Sequence, residues 1–304
     1  MKWIKKGLIF SPNGSIEWMN SHSYIPTPFI LNKNIIRIFV AFWDKHKVGR
    51  IGFIDVDAEC PKKIIKVSPY PVLDIGDNGT FDDNGVAPSS IIEEEDHLKL
   101  YYFGFQKGYK IRYFLFGGLA LSFDRGNSFF RYQKTPIIDR INDEYFLRSA
   151  PFILKEDGLY KMWYTSGTHW IEVNNKSVPV YNIRYLESFD GKDWKGKGKL
   201  CIDLKLGEHG LGRPWIIKYN SKYRMFYSIR YKSINYRLGY AESYDGINWI
   251  RKDEEIGIDV SSNGWDSEMI CFPSVIKYKD RFYMFYNGNN YGETGFGYAI
   301  LDKW

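Results

Sequence analysis

Cysteine is nearly absent from this chain of 304 residues: Cys60, Cys201 and Cys271 are the three it has. They are odd in number, far apart and fit no zinc-ligand spacing, which excludes a disulfide-framed fold and a structural zinc site. The compartment expected for such a chain is a reducing one, the cytoplasm. Long apolar runs are also missing. The amino-terminal stretch MKWIKKGLIFSPNG contains an apolar run of only four residues, Gly7–Phe10. That is too short for a signal-peptide core, and no run approaches the ~20 residues of a membrane span, so no membrane insertion is expected. Charge of one sign is scarce: 42 Lys and Arg against 36 Asp and Glu leave a net +6. The basic residues are scattered, many in turns such as Lys277–Arg281, where lysine opposes edge-to-edge pairing. Without a concentrated basic face, nucleic acid is excluded as a partner. There is no Pro/Gly/Ser-rich linker and no sustained helical period, so residues 1–304 read as a single domain.

What the chain does have is aromatic residues. They make up 18% of it, led by 24 Tyr and 21 Phe, within a hydrophobic fraction of 44%. Such a composition supports a packed core and favours strands over helices. It also repeats. A proline followed by an apolar run occurs at Pro28, Pro88, Pro151, Pro214 and Pro273, at spacings of 60, 63, 63 and 59 residues. After each comes a polar turn and then an aromatic strand: Ile35–Phe42, Leu98–Phe105, Tyr160–Tyr164, Tyr223–Ile229 and Phe282–Tyr286. A third strand follows, and in three repeats it runs into a Ser-aromatic-Asp turn, SFDRG at Ser122, SFDG at Ser188 and SYDG at Ser243. Asp-Gly supplies the positive φ of a tight hairpin turn. Trp194 and Trp249 open a fourth strand and read as core. Each unit is therefore a four-stranded meander, and the fold expected is all-β, a five-bladed β-propeller. The last repeat stops after its third strand, while the amino-terminal Lys2–Leu8 has the look of a fourth. The amino-terminal strand is expected to close the last blade.

Loops that enter the innermost strands of a propeller crowd around one mouth, so functional groups are sought just before the five prolines. These segments carry His22 and Tyr24 in the first blade and Asp82 and Asp83 in the second. The third has Glu144 and Arg148, the fourth His209 and Arg213, and the fifth Asp266 and Glu268. Paired carboxylates can divide acid and base work when their environments separate their pKa values, so Asp83, Glu268, Asp82 and Asp266 are the candidate catalytic residues. Arg148 and Arg213 can clamp a phosphate or carboxylate. With His22, His209, Glu144 and Tyr24 they form the candidate substrate-binding set. Each also has a plain structural reading, an ion pair or a hydrogen-bonded turn. No metal or cofactor is required by the sequence.

The FYMFYNG and YKMWYTSG strands and the SYDGINW turn resemble the five-bladed β-propeller glycosidases: arabinanases, xylosidases, invertases, levansucrases and the related mannoside phosphorylases. The resemblance spans all five repeats. In the hydrolases of that group it implies three acids on the first three blades. This chain departs from the pattern, with His22-Ser23 and Thr27-Pro28 where an Asp-Pro is expected and Arg148-Ser-Ala-Pro151 in the third blade. The phosphorylases imply a key Asp on the second blade and basic residues for phosphate, roles open to Asp82 or Asp83 and to Arg148, Arg213 and His209; the usual Asp-Pro-Arg is absent from FDDNGVAP. The expectation is an enzyme acting at the anomeric centre of a phosphorylated or nucleotide-linked sugar, suited to surface-glycan synthesis. A glycoside hydrolase with a rearranged carboxylate pair and a non-catalytic glycan-binding propeller are the alternatives. The partner is a small sugar or sugar phosphate; the sequence does not specify an oligomeric state.

Overall fold

In the computed structural model, which describes residues 1–304, strand β1 (Lys2–Phe10) is separated from its neighbours in sequence and the rest of the chain forms meanders. The first contains β2 (Ser21–Asn32), β3 (Ile35–Trp43), β4 (Gly49–Asp57) and β5 (Ile64–Val67). The second contains β6 (Val86–Glu93), β7 (Leu98–Lys107), β8 (Tyr113–Ser122) and β9 (Phe130–Arg131). The third is β10 (Leu147–Glu156), β11 (Leu159–Val173), β12 (Lys176–Ser188) and β13 (Lys199–Ile202). The fourth is β14 (Glu208–Tyr219), β15 (Lys222–Tyr231), β16 (Arg237–Ser243) and β17 (Ile250–Arg251). The fifth holds β18 (Cys271–Tyr278), β19 (Arg281–Asn287) and β20 (Phe296–Lys303), and β1 completes it antiparallel to β20, with Trp3 opposite Leu301 and Phe10 opposite Phe296. The first strands of the five units pack on one another in cyclic order, with β18 against β2.

Two features differ from the sequence reading. The third unit's hairpin is longer than its aromatic core suggests: β11 and β12 pair out to Val173 and Lys176. The segments before the prolines are also mostly strand. His22 and Tyr24 belong to β2, Arg148 to β10, and His209 and Arg213 to β14.

The prolines explain how those strands still display side chains. Proline cannot donate to a ladder, so it sits where pairing is interrupted. The ladder slips between Tyr24 and Thr27, Pro88 and Ser90, Ser149 and Phe152, Gly212 and Trp215, and Cys271 and Ser274. In the first unit the interruption surrounds Pro26; the sequence marker Pro28 pairs regularly with Ile38. In four of the five units the residue just before the proline is left-handed: Ile25 (φ 58°), Ala150 (50°), Arg213 (53°) and Phe272 (54°). For non-glycine residues this costs about 1–3 kcal/mol apiece and persists only where surrounding structure enforces it. A bulge of this kind turns a side chain that would stay in the sheet toward the ring axis.

The core lies between units, not within one. Its largest cluster joins the third, fourth and fifth through Trp163, Trp215, Phe226 and Tyr286, with Trp3 of β1 packed among them. The Ser-aromatic-Asp turns lock neighbouring units together. Ser188 Oγ accepts from the Gly191 amide (3.0 Å), and the Gly191 carbonyl accepts from the Tyr101 hydroxyl of the preceding unit (2.9 Å). Gly246 repeats this, its carbonyl accepting from Trp163 Nε1 (2.7 Å). Both glycines have positive φ, 70° and 78°, which the turn requires.

Candidate functional site

The acids that precede the prolines have partners inside their own units. Tyr102 Oη donates to Asp82 (2.9 Å), Tyr164 Oη to Glu144 (2.7 Å) and Tyr286 Oη to Asp266 (3.0 Å), in each case across a separation of 20 residues. A cation completes each group: Arg131 beside Asp82 (2.7 Å), Arg148 beside Glu144 (2.7 Å) and Lys5 of β1 beside Asp266 (2.7 Å). The fourth unit varies the device, with Glu208 paired to Arg251 (2.8 Å) and the Tyr227 hydroxyl donating to Asp253. In the first unit, Val40 stands where Tyr102 stands in the second, and Asn20, not an acid, stands 20 residues before it. These are buried posts that tie a unit's entry to its middle strand. Removing one partner of such a buried pair strands a charge, so the arrangement serves structure.

The candidate residues are accordingly dispersed. Asp82, Asp266, Glu144 and Arg148 are enclosed in these posts. Arg148 also donates to the carbonyls of Asp139 (2.7 Å) and Gly196 (2.9 Å). Asp83 is half-buried and accepts from the Gly79 amide (2.9 Å) and Asn84 Nδ2 (2.6 Å). Glu268 is exposed and lines a separate groove with Lys232 and Arg237. The expected catalytic carboxylates therefore do not converge: none of Asp82, Asp83, Asp266 and Glu268 lines the central cavity.

That cavity, of about 190 Å³, opens where the strand entries meet, and Tyr24 and Arg213 line it. The four left-handed residues Ile25, Ala150, Arg213 and Phe272 are all in its wall, so the bulges described above build it. Arg213 Nη1 donates to the Pro273 carbonyl (2.6 Å), and Nη2 to the Pro26 carbonyl (3.0 Å) and Thr27 Oγ1 (2.8 Å). Its Nε is buried without a partner. No carboxylate stands within ion-pair distance of it, and burial pushes the guanidinium down to about 9, still charged at neutral pH.

Sequence reasoning missed most of the wall. Arg230 and Arg112 join Arg213 as its cations, and Tyr113, Tyr181, Tyr236 and Tyr291 join Tyr24. There is no Asp or Glu among the lining residues. Arg230 Nη1 lies 3.4 Å from Tyr181 Oη, and that hydroxyl lies 3.3 Å from Tyr236 Oη. Burial raises the phenols of Tyr24, Tyr113 and Tyr236, so all three remain hydrogen-bond donors at neutral pH. The signal for Tyr181 was the sequence EHGLGRP: a Cβ on Gly210 would lie 2.4 Å from Tyr181 Cζ, and one on Gly212 3.2 Å from Cε2. Two glycines form the shelf on which the ring rests.

The histidines back this wall. His22 stacks on the cavity residue Trp43 (ring centroids 3.8 Å apart), and burial lowers it to about 4, leaving it neutral. His209 contacts the Pro179 carbonyl through Nδ1 (3.2 Å), and burial, then the nearby Arg230 charge, lower it as well. No three His, Cys, Asp or Glu side chains gather into a metal-ligand set.

No known family model matches the sequence. A solved glycoside hydrolase superposes with a TM-score of 0.74 at 19% identity, covering 98% of this chain and 90% of that one. A thermostable family-43 glycoside hydrolase gives 0.69 at 18% identity, over 96% and 91%. A structure from the GH130 family of mannoside phosphorylases, described as containing glycoside hydrolases that target β-1,2 mannosidic linkages in Candida mannan, gives 0.72 at 16% identity, over 98% and 93%. With the cyclic packing of its meanders, the chain has a five-bladed β-propeller fold like that of these solved structures. Within that fold it belongs to the family of the Mycobacterium tuberculosis H37Rv protein described as Uncharacterized protein Rv1502, to which it is 34% identical over 304 residues, the full length of both.

Proposed function

We propose that this protein is a carbohydrate-active enzyme that works at the anomeric centre of a phosphorylated or nucleotide-linked sugar and holds the anionic group in the central cavity. The observation that carries this reading is the charge of the wall: Arg112, Arg213 and Arg230 line it, and no carboxylate does. A site lined by arginines with no carboxylate among them favours a ligand that brings its own negative charge, because guanidinium donates to phosphate oxygens in a fixed fork. The tyrosines and Trp43 offer flat faces and hydroxyls to a sugar ring. The superfamily neighbours named above are glycoside hydrolases and mannoside phosphorylases, which agrees with a sugar ligand. Of the residues singled out in the sequence, Arg213 and Tyr24 face the ligand directly, and His22 and His209 support the wall behind it. A reducing, cytoplasmic setting and a place in surface-glycan synthesis go with an activated sugar. A conventional hydrolase would need a carboxylate pair at the cavity, whereas Glu268 lies in a separate groove that shares only Tyr291 with it.

Calorimetric titration with inorganic phosphate, a hexose 1-phosphate, a uridine-diphosphate hexose and the corresponding neutral hexose tests the reading. The anionic ligands should bind, and Arg230→Ala should abolish their binding without unfolding the protein. Equal affinity for the neutral hexose, or anion binding indifferent to Arg230→Ala, would refute it.

A further inference from the structure

The cavity lacks a carboxylate, yet chemistry at an anomeric centre with an alcohol as leaving group needs a proton donor. This inference rests on the reading above and supplies that donor. The ionisable hydroxyls in the wall belong to five tyrosines. Among them Tyr181 has the setting of a proton-transfer group. Its ring is fixed on the Gly210 and Gly212 shelf. Its oxygen is within reach of two donors, Arg230 Nη1 (3.4 Å) and Tyr236 Oη (3.3 Å). Both would stabilise the phenolate left after the proton departs, and one is a permanent cation. We infer that Tyr181 is the general acid of this site, a catalytic tyrosine in place of the carboxylic acid expected of a glycosidase-like propeller.

With inorganic phosphate as acceptor the step balances. An oxygen of the hydrogen phosphate dianion forms a bond to the anomeric carbon. The exocyclic carbon–oxygen bond breaks, its electron pair stays on the leaving oxygen, and that oxygen takes the Tyr181 proton. The products are an alcohol, a glycosyl phosphate monoanion and the Tyr181 phenolate. The monoanion then returns its remaining proton to the phenolate, giving the dianion and restoring the tyrosine. Arg112, Arg213 and Arg230 together hold the phosphate, and Arg230 also serves the phenol through Nη1.

The test compares leaving groups. Wild type, Tyr181→Phe and Tyr236→Phe are assayed with inorganic phosphate on a panel of methyl hexosides, whose leaving oxygen must be protonated, and dinitrophenyl hexosides, whose leaving group departs unaided. Tyr181→Phe keeps the ring on its shelf and removes only the hydroxyl. It should lower phosphate-dependent turnover of the methyl hexoside by at least ~100-fold and that of the dinitrophenyl hexoside by no more than ~3-fold. Phosphate affinity by calorimetry should be unchanged, and Tyr236→Phe should give a smaller loss on the methyl substrate alone. Equal losses on both substrates, full activity of Tyr181→Phe, or no phosphate-dependent turnover of any panel member would overturn the assignment. Failure of the general reading is separable, because it appears as absence of phosphate binding by the wild-type protein.

Discussion

Arg213 and Thr27 stand 186 residues apart, in the fourth and first blades, and the arginine Nη2 donates to the threonine Oγ1 at 2.8 Å. With the carbonyls of Pro26 and Pro273 also bound, one guanidinium joins three blades at the ring axis. Lysine keeps the charge but not the fork, so it cannot reach opposed acceptors together. Arg213→Lys should therefore lose about 1.5–3 kcal/mol of stability, seen as a lower urea midpoint with unchanged slope.

Asp82 distinguishes a structural acid from a catalytic one. It is fully enclosed between Tyr102 and Arg131. Asp82→Asn should destabilise the protein by roughly 3 kcal/mol, because it leaves Arg131 without its counter-charge. The affinity of the folded variant for phosphate should match wild type in calorimetry; a selective loss of ligand binding at full stability would assign Asp82 to the site instead.

The shelf under Tyr181 gives a third expectation. In Gly210→Ala the new Cβ meets the ring at 2.4 Å, so ring or strand must shift. Over-packing of this kind costs about 1–3 kcal/mol. It should also pull the Tyr181 hydroxyl off Arg230 and slow phosphate-dependent turnover of a methyl hexoside while phosphate affinity stays as in wild type, read by thermal melting, activity and calorimetry on one preparation.

Strain at the bulges predicts a gain. Ala150 is left-handed at φ 50° and has only a methyl group to lose. Ala150→Gly should raise stability by up to about 1 kcal/mol, since glycine adopts this conformation freely and the relief outweighs its unfolded-state entropy. A lower melting temperature in the variant would show that the methyl contact with the cavity matters more than the backbone.

His22 sets a pH dependence. Burial lowers it to about 4, below its ordinary 6.5. Above pH 6.5 it is neutral folded and unfolded, and its contribution is constant. As pH falls from 6.5 towards 4 the unfolded chain takes up the proton first, and stability is lost, up to roughly 3 kcal/mol at the lower limit. His22→Gln should flatten urea midpoints across that window; His209, also lowered by burial, adds a smaller slope that His209→Gln removes.

The fold was legible because its signals are local and repeated. Pro151, Pro214 and Pro273 mark ladder interruptions, and Gly191 and Gly246 mark turns whose geometry few other residues allow. The site was legible only in part. Asp82, Glu144 and Asp266 look alike as mouth acids, and what decides their role is a tyrosine 20 residues later, a periodicity visible only once the partner is known. Arg230 is the next-to-last residue of a strand whose middle residues are buried, with nothing in its neighbours to distinguish it from a surface arginine; only the folded ring brings it to Tyr181. Tyr24 and Arg213 were found because both lie close to an interrupting proline, where a side chain leaves the sheet.

The pairing of β1 with β20 also sets a timetable for synthesis. At ~5–20 residues per second, residues 2–10 emerge ~15–60 s before residues 296–303 that they pair with. Throughout that interval β1 has no strand to pair with, and the flank of β2 that packs on β18 stays bare until the fifth unit is made. A ribosome stall or premature stop before β20 is made would therefore damage more than the missing strand, releasing a chain whose ring is open at the one seam that only β1 and β20 together can close.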